Sequence, residues 1–190
     1  ATSITQRGKI EYFARMDEDT PAGMVIGRDG STLTDSKAIL SDLTTGKAAL
    51  APLGGIGEEL AGYKGYGYAT VVEILSAALQ QGQFLRALNG IGFQGEKVPY
   101  HLGHFFIAID TEAFMGLEAF QKTAGDILRD LRSSEKAPGY DRIYTAGEKE
   151  YRVWMERKDS GVPVNAAVQT ELIAVRDELG LTQYHFPFEE

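Results

Sequence analysis

The chain has 190 residues, of which 43% are hydrophobic and 24% are charged. This composition is typical of a globular protein with a sizeable core and excludes a disordered chain. The formal net charge of −8, without a run of Lys and Arg, excludes a nucleic-acid surface, and the lack of cysteine excludes disulfides and a thiol nucleophile. Neither a signal peptide nor a membrane span is visible, so we expect a cytoplasmic protein without membrane contact.

The first predicted element is a short amphipathic helix. Ile10 and Phe13 lie on one face of a helix over residues 6–16. Ser3 or Thr5 precedes it and is a suitable N-cap, because a hydroxyl oxygen can accept a hydrogen bond from a free N–H group of the first turn. We therefore expect a capped helix near the beginning of the chain.

The next segment is rich in glycine and is predicted to run over the surface. It contains one short helix over residues 35–43, with Asp35 or Ser36 as its N-cap. The apolar run 48–53, which ends before two glycines, predicts a strand or a buried extended piece.

The central motif is the stretch 62–68, Gly-Tyr-Lys-Gly-Tyr-Gly-Tyr, which leads into an apolar segment over residues 69–79. We interpret it as a glycine-rich turn that feeds a helix. Free N–H groups at such a junction, together with the ammonium group of Lys64, favour an anion or a phosphate. The alternative is a tight loop that caps a core helix, with Lys64 only solvated.

An aromatic and β-branched run over residues 105–110 predicts a fully buried strand. Helical spacing over residues 111–132 follows at once, and a strand followed by a long amphipathic helix favours an α/β layered architecture. His101 and His104 flank the start of the strand, where a spacing of three places their side chains on opposite faces. A shared metal is therefore not expected, and structural roles are favoured for both.

The end of the chain is predicted to be helical. A glycine turn at residues 147–148 leads to a helix through Tyr151 and Trp154. Asn165 is the predicted N-cap of a further helix. The predicted buried stripe of that helix consists of Val168, Leu172, Val175 and Leu179.

Several motifs, taken in order, resemble the malate/L-lactate dehydrogenase family, also called the sulfolactate dehydrogenase-like family. The most specific is the Lys-Gly-Tyr-Gly block within residues 62–69, and the resemblance covers nearly the whole chain. Ala146 stands where the family's late Pro-Gly-Glu turn has its proline. The other matching stretches are residues 1–3, 8–10, 53–55, 73–76, 104–110 and 147–148.

The resemblance implies an NAD(P)-dependent oxidoreductase that interconverts 2-hydroxy acids and 2-oxo acids by hydride transfer. The implied fold is α/β, a mixed β-sheet layered with helices, distinct from the Rossmann fold. The resemblance does not distinguish NAD from NADP. The cofactor-binding positions that it implies are Ser3, Thr5, Arg7, Lys64, Gly65, Gly147 and Glu148.

Family members are longer, and their proton-donating histidine and substrate-clamping arginine lie in an N-terminal part. The resemblance therefore implies that this chain is a C-terminal portion, with no catalytic residue and no metal ligand of its own. Residues 1–135 would form most of the cofactor-binding domain, and residues 136–190 a helical segment that packs on the N-terminal portion. That portion of the same enzyme, and a second copy in a homodimer, are the expected protein partners.

The alternative is a non-catalytic cofactor-binding or assembly module derived from the same family. Within the enzyme interpretation malate or lactate leads, because Gly57, Glu58 and Glu59 before the central motif resemble malate-type members. Sulfolactate, ureidoglycolate, diketogulonate and cyclic imines remain open as substrates.

Overall fold

The computed structural model describes residues 2–92 and 94–189. Residue 1, which belongs to the opening motif, lies outside this part. The described chain is rich in helices and has a small sheet. Its α-helices are α1 (Arg7–Arg15), α2 (Ser36–Thr45), α3 (Gly62–Ala77), α4 (Leu117–Ser133), α5 (Glu148–Arg157) and α6 (Ala166–Glu178), and its strands are β1 (Val25–Gly27) and β2 (Ala48–Leu50). Short 3-10 helices cover Ala78–Gln80, Leu85–Asn89, Thr111–Ala113 and Pro187–Glu189.

The chain divides into two compact units. The first unit comprises Ala1–Phe106 and Ala166–Glu190, and the second comprises Ile107–Asn165. In the first unit β1 and β2 pair antiparallel, with Val25 opposite Leu50. The prediction of a strand within residues 48–53 is confirmed by β2.

The core of the first unit lies where α1, α2 and β1 meet. Ile10, Val25 and Ile39 are fully buried there, one from each element. Burying such a side chain stabilises the fold by roughly 1.5–3 kcal/mol. The partly buried residues around them are Met24, Leu33, Leu40, Leu43, Ala48 and Leu50.

The caps of the first two helices differ from each other. Asp35 caps α2, because its Oδ1 accepts a hydrogen bond of 2.9 Å from the Ala38 N–H group, as the sequence predicts. The predicted cap of α1 is wrong. Its N-cap is Gln6, which makes no side-chain cap bond, while the Ser3 hydroxyl donates to the Thr5 carbonyl at 2.7 Å. The Thr5 hydroxyl lies 3.5 Å from the Gln6 carbonyl oxygen, so both hydroxyls are directed to carbonyls and not to the N–H groups of the first turn.

The predicted buried strand over residues 105–110 is wrong for this chain. The segment has no regular secondary structure, and Phe106 and Ile107 are 86% and 72% exposed. A strand requires hydrogen bonds to a neighbouring strand, and no strand of the described chain pairs with this run. Asp110 caps the short 3-10 helix Thr111–Ala113 that follows, because its Oδ1 accepts from the Glu112 N–H group at 3.0 Å.

The positions of the later helices in the sequence are correctly predicted, but the burial of their apolar faces is not. The α4 helix begins at Leu117, later than expected, after Gly116 with its φ of +82°. The predicted stripe of α6 is not buried, since Leu172, Val175 and Leu179 are all exposed. Spacing identifies the apolar face of a helix but does not show that a partner covers it.

No helix in the described ranges is both long enough and apolar enough to cross a bilayer.

Candidate functional site

Three backbone segments of the first unit meet at the start of α3. The Leu53 N–H group donates to the Thr2 carbonyl at 2.9 Å, and the Ile4 N–H group donates to the Ala51 carbonyl at 2.9 Å. Ser3 thereby pairs with Pro52 in an antiparallel bridge. The chain's opening residues thus lie beside the segment that precedes the central glycine motif.

The glycines of α3 permit the third segment to approach. The Gly65 N–H group donates to the Leu53 carbonyl at 3.0 Å. A Cβ atom on Gly65 would lie 2.2 Å from the Leu53 nitrogen, and one on Gly62 would lie 2.2 Å from the Gly55 carbonyl oxygen. Since side chains do not tolerate such distances, glycine at both positions is a condition of this packing. We call the meeting point of residues 2–5, 51–55 and 62–65 the α3 junction.

The α3 helix begins earlier than the sequence predicts, and this changes the chemistry of the junction. Its first residue is Gly62, so Lys64 and Gly65 belong to its first turn and not to a preceding loop. The N–H groups of Gly62 and Lys64 donate to the Gly57 and Ala61 carbonyls, at 3.1 and 3.0 Å. The expectation that these N–H groups and that of Gly65 are open to an anion is therefore wrong, because carbonyls of the chain itself accept from them.

The Lys64 side chain is the cation that the junction retains. It is exposed, and among the residues that the structure describes it has neither an ion pair nor a hydrogen bond. In a chain with a formal net charge of −8, such an ammonium group is available to a negatively charged ligand.

The N-terminal site candidates are placed near the junction but are already engaged. Thr5 is buried, and its carbonyl accepts from the Ser3 hydroxyl. Arg7 is the first residue of α1, and its Nε donates to Glu11 at 3.0 Å while its Nη1 donates to Thr44 at 3.4 Å. The structure therefore brings Ser3 and Thr5 to the α3 junction, and it commits part of the Arg7 guanidinium to its own surroundings.

Gly147 and Glu148 lie in the second unit, at the start of α5. Gly147 has a φ of +84°, a left-handed conformation that favours glycine, and Glu148 opens the helix. The Glu148 side chain is only 13% exposed. It is held by Arg132, whose Nε lies 3.3 Å from Oε2, and by Arg142.

The charge state of Glu148 follows from these neighbours. Burial of the carboxylate opposes its ionisation and is the largest single influence on its pKa. The Thr145 N–H group and the guanidiniums of Arg142 and Arg132 together outweigh that burial, so the pKa of Glu148 lies below its ordinary value. Glu148 is therefore an anion at neutral pH and is matched to the arginines around it.

No motif of the sequence indicates these arginines as site residues. Arg152 lies four residues after Glu148 on α5, a spacing that brings opposite charges together on a helix, so this neighbour could have been found. Arg132 is the penultimate residue of α4 and Arg142 lies in the following connection. Only the folded chain shows that all three surround one carboxylate.

A groove of about 730 Å³ lies along α3, and its lining differs from the α3 junction in polarity. It is mainly apolar, and its carboxylate, Glu73, accepts a hydrogen bond of 2.6 Å from the Leu85 N–H group. It offers no cation to a phosphate. Its lining includes Tyr66, Thr70, Ile74, Ala77 and Phe84.

The histidines His101 and His104, which precede the run 105–110, are both exposed and contribute backbone contacts. The His101 carbonyl accepts from the Gln83 N–H group at 3.0 Å, and the His104 carbonyl accepts from Gln80 Nε2 at 2.9 Å. Within residues 2–92 and 94–189, no group of three or more His, Asp or Glu side chains is arranged to hold a metal ion.

Comparisons with known proteins agree with the motifs. The sequence profile described as malate/L-lactate dehydrogenase matches residues 1–173. The malate dehydrogenase of Pyrococcus horikoshii is 34% identical over 95% of this chain and 48% of its own length. The L-sulfolactate dehydrogenase of Methanocaldococcus jannaschii is 33% identical over 95% of this chain and 47% of its own length.

The structural comparison gives the same family. The crystal structure of malate dehydrogenase from Entamoeba histolytica superposes with a TM-score of 0.87 and 37% identity, over 98% of this chain and 50% of that one. The chain thus spans about half the length of the curated relatives it matches. These relatives are dehydrogenases and do not favour a non-catalytic module. With the profile matching most of its length, the chain belongs to the malate/L-lactate dehydrogenase family.

Proposed function

We propose that this chain forms the cofactor-holding part of an NAD(P)-dependent oxidoreductase that acts on 2-hydroxy and 2-oxo acids. The observation that carries the proposal is the α3 junction. There the segment 51–55 pairs with Ser3 and also with the first turn of α3, beside the Lys64 ammonium group, which has no partner among the described residues. Family membership supports it, since the matching relatives are named as dehydrogenases of malate and L-sulfolactate.

The residues of the α3 junction fit a dinucleotide, because they offer a positive charge that solvent and ligand can reach. Lys64 offers an exposed ammonium group to a phosphate. The side chain makes this contact in place of the backbone, because the N–H groups of Gly62, Lys64 and Gly65 are already bonded to carbonyls. Gly65 keeps the backbone close to Leu53, so Lys64 is presented on a fixed helix start. When bound, a nicotinamide cofactor supplies the hydride that reduces a 2-oxo acid to the 2-hydroxy acid. The chain's own residues bind and orient; none of them is assigned the proton transfer.

The remaining cofactor positions are Ser3, Thr5, Arg7, Gly147 and Glu148. For Ser3 and Thr5 we propose contact through the backbone, because the Ser3 hydroxyl is engaged with the Thr5 carbonyl. For Gly147 and Glu148 we propose the turn itself, which the left-handed conformation of Gly147 shapes. The fold that we propose for the whole enzyme is a mixed sheet layered with helices and distinct from the Rossmann fold.

The proton donor and the substrate clamp are proposed to lie in an N-terminal portion of the same enzyme. The apolar run 105–110 supports this, because Phe106 and Ile107 are mostly exposed and would be covered in a larger assembly. We further propose residues 1–135 as most of the cofactor-binding domain and residues 136–190 as a helical segment packing on that portion. A homodimer is the proposed assembly, and malate or lactate the leading substrate.

The oxidation of NADH and NADPH by oxaloacetate and by pyruvate, followed by absorbance, tests the proposal. We expect no turnover by the 190-residue chain alone and turnover once the proposed N-terminal portion is supplied as a second chain. Turnover by the chain alone would contradict the assignment of the proton donor to another portion. Failure of the reconstituted protein with every 2-oxo acid tried would overturn the oxidoreductase proposal.

A further inference from the structure

The arginines around Glu148 exceed what that carboxylate requires. Arg132, Arg142 and Arg152 line an open groove of about 810 Å³, together with the carboxylates of Glu148 and Glu156. Three guanidiniums therefore face two carboxylates, and the lining keeps a net positive charge within a chain whose formal charge is −8. A positive groove on an acidic protein attracts an anionic ligand.

The three arginines are not equally engaged. Arg132 donates to the Thr145 hydroxyl from Nε at 2.9 Å and from Nη2 at 2.7 Å, and it pairs with Glu148, so it is the most engaged of the three. Arg142 bonds Glu148 through Nη2 alone. A guanidinium carries five N–H donors in a planar fork, so Arg142 keeps donors that the Glu148 bond does not use.

Arg152 is the least engaged of the three. Its Nε lies 3.9 Å from Glu148 Oε1, beyond hydrogen-bond distance. Its guanidinium makes no hydrogen bond within the described ranges, and its side chain is 48% exposed. The position is nevertheless restricted, because the guanidinium carbon lies 5.8 Å from the centre of the Tyr144 ring.

Tyr144 organises the cationic side of the groove. The guanidinium carbon of Arg142 lies 5.7 Å from the ring centre, and the ammonium nitrogen of Lys149 lies 5.0 Å from it. The ring thus gathers Arg142, Lys149 and Arg152 around one aromatic face without consuming their N–H donors. Fork-shaped donors held in this way are suited to a phosphate, which accepts paired hydrogen bonds from arginine.

We propose that this groove binds a phosphate group of the nucleotide cofactor, with Arg152 and Arg142 as the residues that contact it. The inference rests on the proposed function, and it extends cofactor contact from Gly147 and Glu148 to arginines that no sequence motif indicated. Two groups of a dinucleotide share this chemistry: the 2′-phosphate that distinguishes NADP from NAD, and the pyrophosphate. In the first case the groove determines the choice of cofactor, and in the second it holds either one.

The test is calorimetric titration of the chain with 2′-AMP, 5′-AMP and adenosine. We expect a phosphorylated nucleoside to bind about tenfold or more tightly than adenosine, the effect of one or more charge-assisted hydrogen bonds. Tighter binding of 2′-AMP than of 5′-AMP assigns the groove to the 2′-phosphate and predicts a preference for NADPH. Equal or tighter binding of 5′-AMP assigns it to the pyrophosphate. If neither nucleotide binds more tightly than adenosine, the proposal is overturned.

Arg152→Gln is the variant of choice, because Glu148 keeps Arg132 and Arg142 as partners and the fold is not put at risk. It should weaken the favoured nucleotide about tenfold. The matched control is Arg157→Gln, which removes the same charge from the same helix but does not line the groove. Equal weakening by both variants would show a diffuse charge effect and would overturn the site.

The outcome is separable from that of the proposed function. If NADH binding depends on Lys64 while Arg152→Gln changes nothing, the groove proposal fails and the oxidoreductase proposal stands. If 2′-AMP or 5′-AMP binds through Arg152 while neither dinucleotide binds the protein, the groove is confirmed as a phosphate site and the cofactor proposal fails.

Discussion

The N–H group of Gly65 donates to the Leu53 carbonyl oxygen at 3.0 Å, and a Cβ atom on Gly65 would lie 2.2 Å from the Leu53 nitrogen. This one relationship fixes the start of α3 against the segment that also pairs with Ser3. It connects the most specific stretch of the sequence to the opening of the chain, and it determines where Lys64 is presented.

Gly65→Ala should therefore destabilise the protein. The added methyl group meets backbone atoms of Leu53, which cannot rotate away, so we expect a loss of about 1–3 kcal/mol in the free energy of unfolding, the range for overpacking. Gly67→Ala is the matched control, because nothing lies within 4 Å of its added Cβ. There alanine should stabilise the helix by about 0.5–1 kcal/mol. Urea denaturation measures both, and similar effects of the two variants would contradict the close approach.

A second prediction concerns the cap of α2. Asp35→Ala removes the acceptor of the Ala38 N–H group and should lower the free energy of unfolding by about 1 kcal/mol. Asp35→Asn keeps an acceptor oxygen and should retain most of the stability. Urea denaturation of both variants distinguishes the cap from a general effect of charge, which would make them equally unstable.

Glu148 gives a prediction about pH. Since its folded pKa lies below the ordinary value of 4.5, its ionised form favours the folded state. This contribution is complete above that value and is lost as the pH falls through the lowered folded pKa. The stability advantage of the natural protein over Glu148→Gln should thus be present near neutral pH and shrink in the acid range. Urea denaturation across pH measures it.

The matched control for that experiment is Glu150→Gln, on the same helix. It removes a carboxylate that has no ion pair within the described ranges, and so it reports the effect of the charge change alone. If the advantage over Glu148→Gln persisted unchanged into strong acid, the arginines would not be stabilising the ionised carboxylate.

The exposed apolar run gives a prediction about association. Phe106→Ser should change the free energy of unfolding by no more than about 0.5 kcal/mol, because its side chain is mostly in solvent. It should also reduce self-association of the chain, measured by sedimentation. Ile39→Ala, in the core, should instead cost about 2–5 kcal/mol. A large loss of stability in Phe106→Ser would show that the run packs within the chain.

Local signals in the sequence predicted local structure well. The Asp35 cap, the helix that it begins and the helix after Gly147 all follow from residues within one or two turns of each other. The prediction that residues 105–110 are buried was wrong, because burial depends on what covers a segment and not on its composition. Their β-branched and aromatic residues indicate a preference for a strand, and the described chain provides no strand to pair with it.

The candidate site was predictable only in part. The glycine motif identified Lys64 and Gly65, but not the bonds from their N–H groups to the carbonyls of Ala61 and Leu53, which depend on the return of the loop before α3. The arginines around Glu148 come from two helices and a connection, so no periodicity joins them. Residues that a fold gathers from separate segments leave no local pattern.

The most direct test of the central claim is a titration of the chain with NADH and with NADPH, followed by energy transfer from Trp154 and the tyrosines. We expect saturable binding of at least one dinucleotide, weakened by about 1–3 kcal/mol in Lys64→Ala, the range for a charge-assisted contact. Lys47→Ala, which removes another exposed ammonium group of the first unit, should bind as the natural chain does. Binding that is equally strong in Lys64→Ala would contradict the role of the α3 junction as a cofactor site.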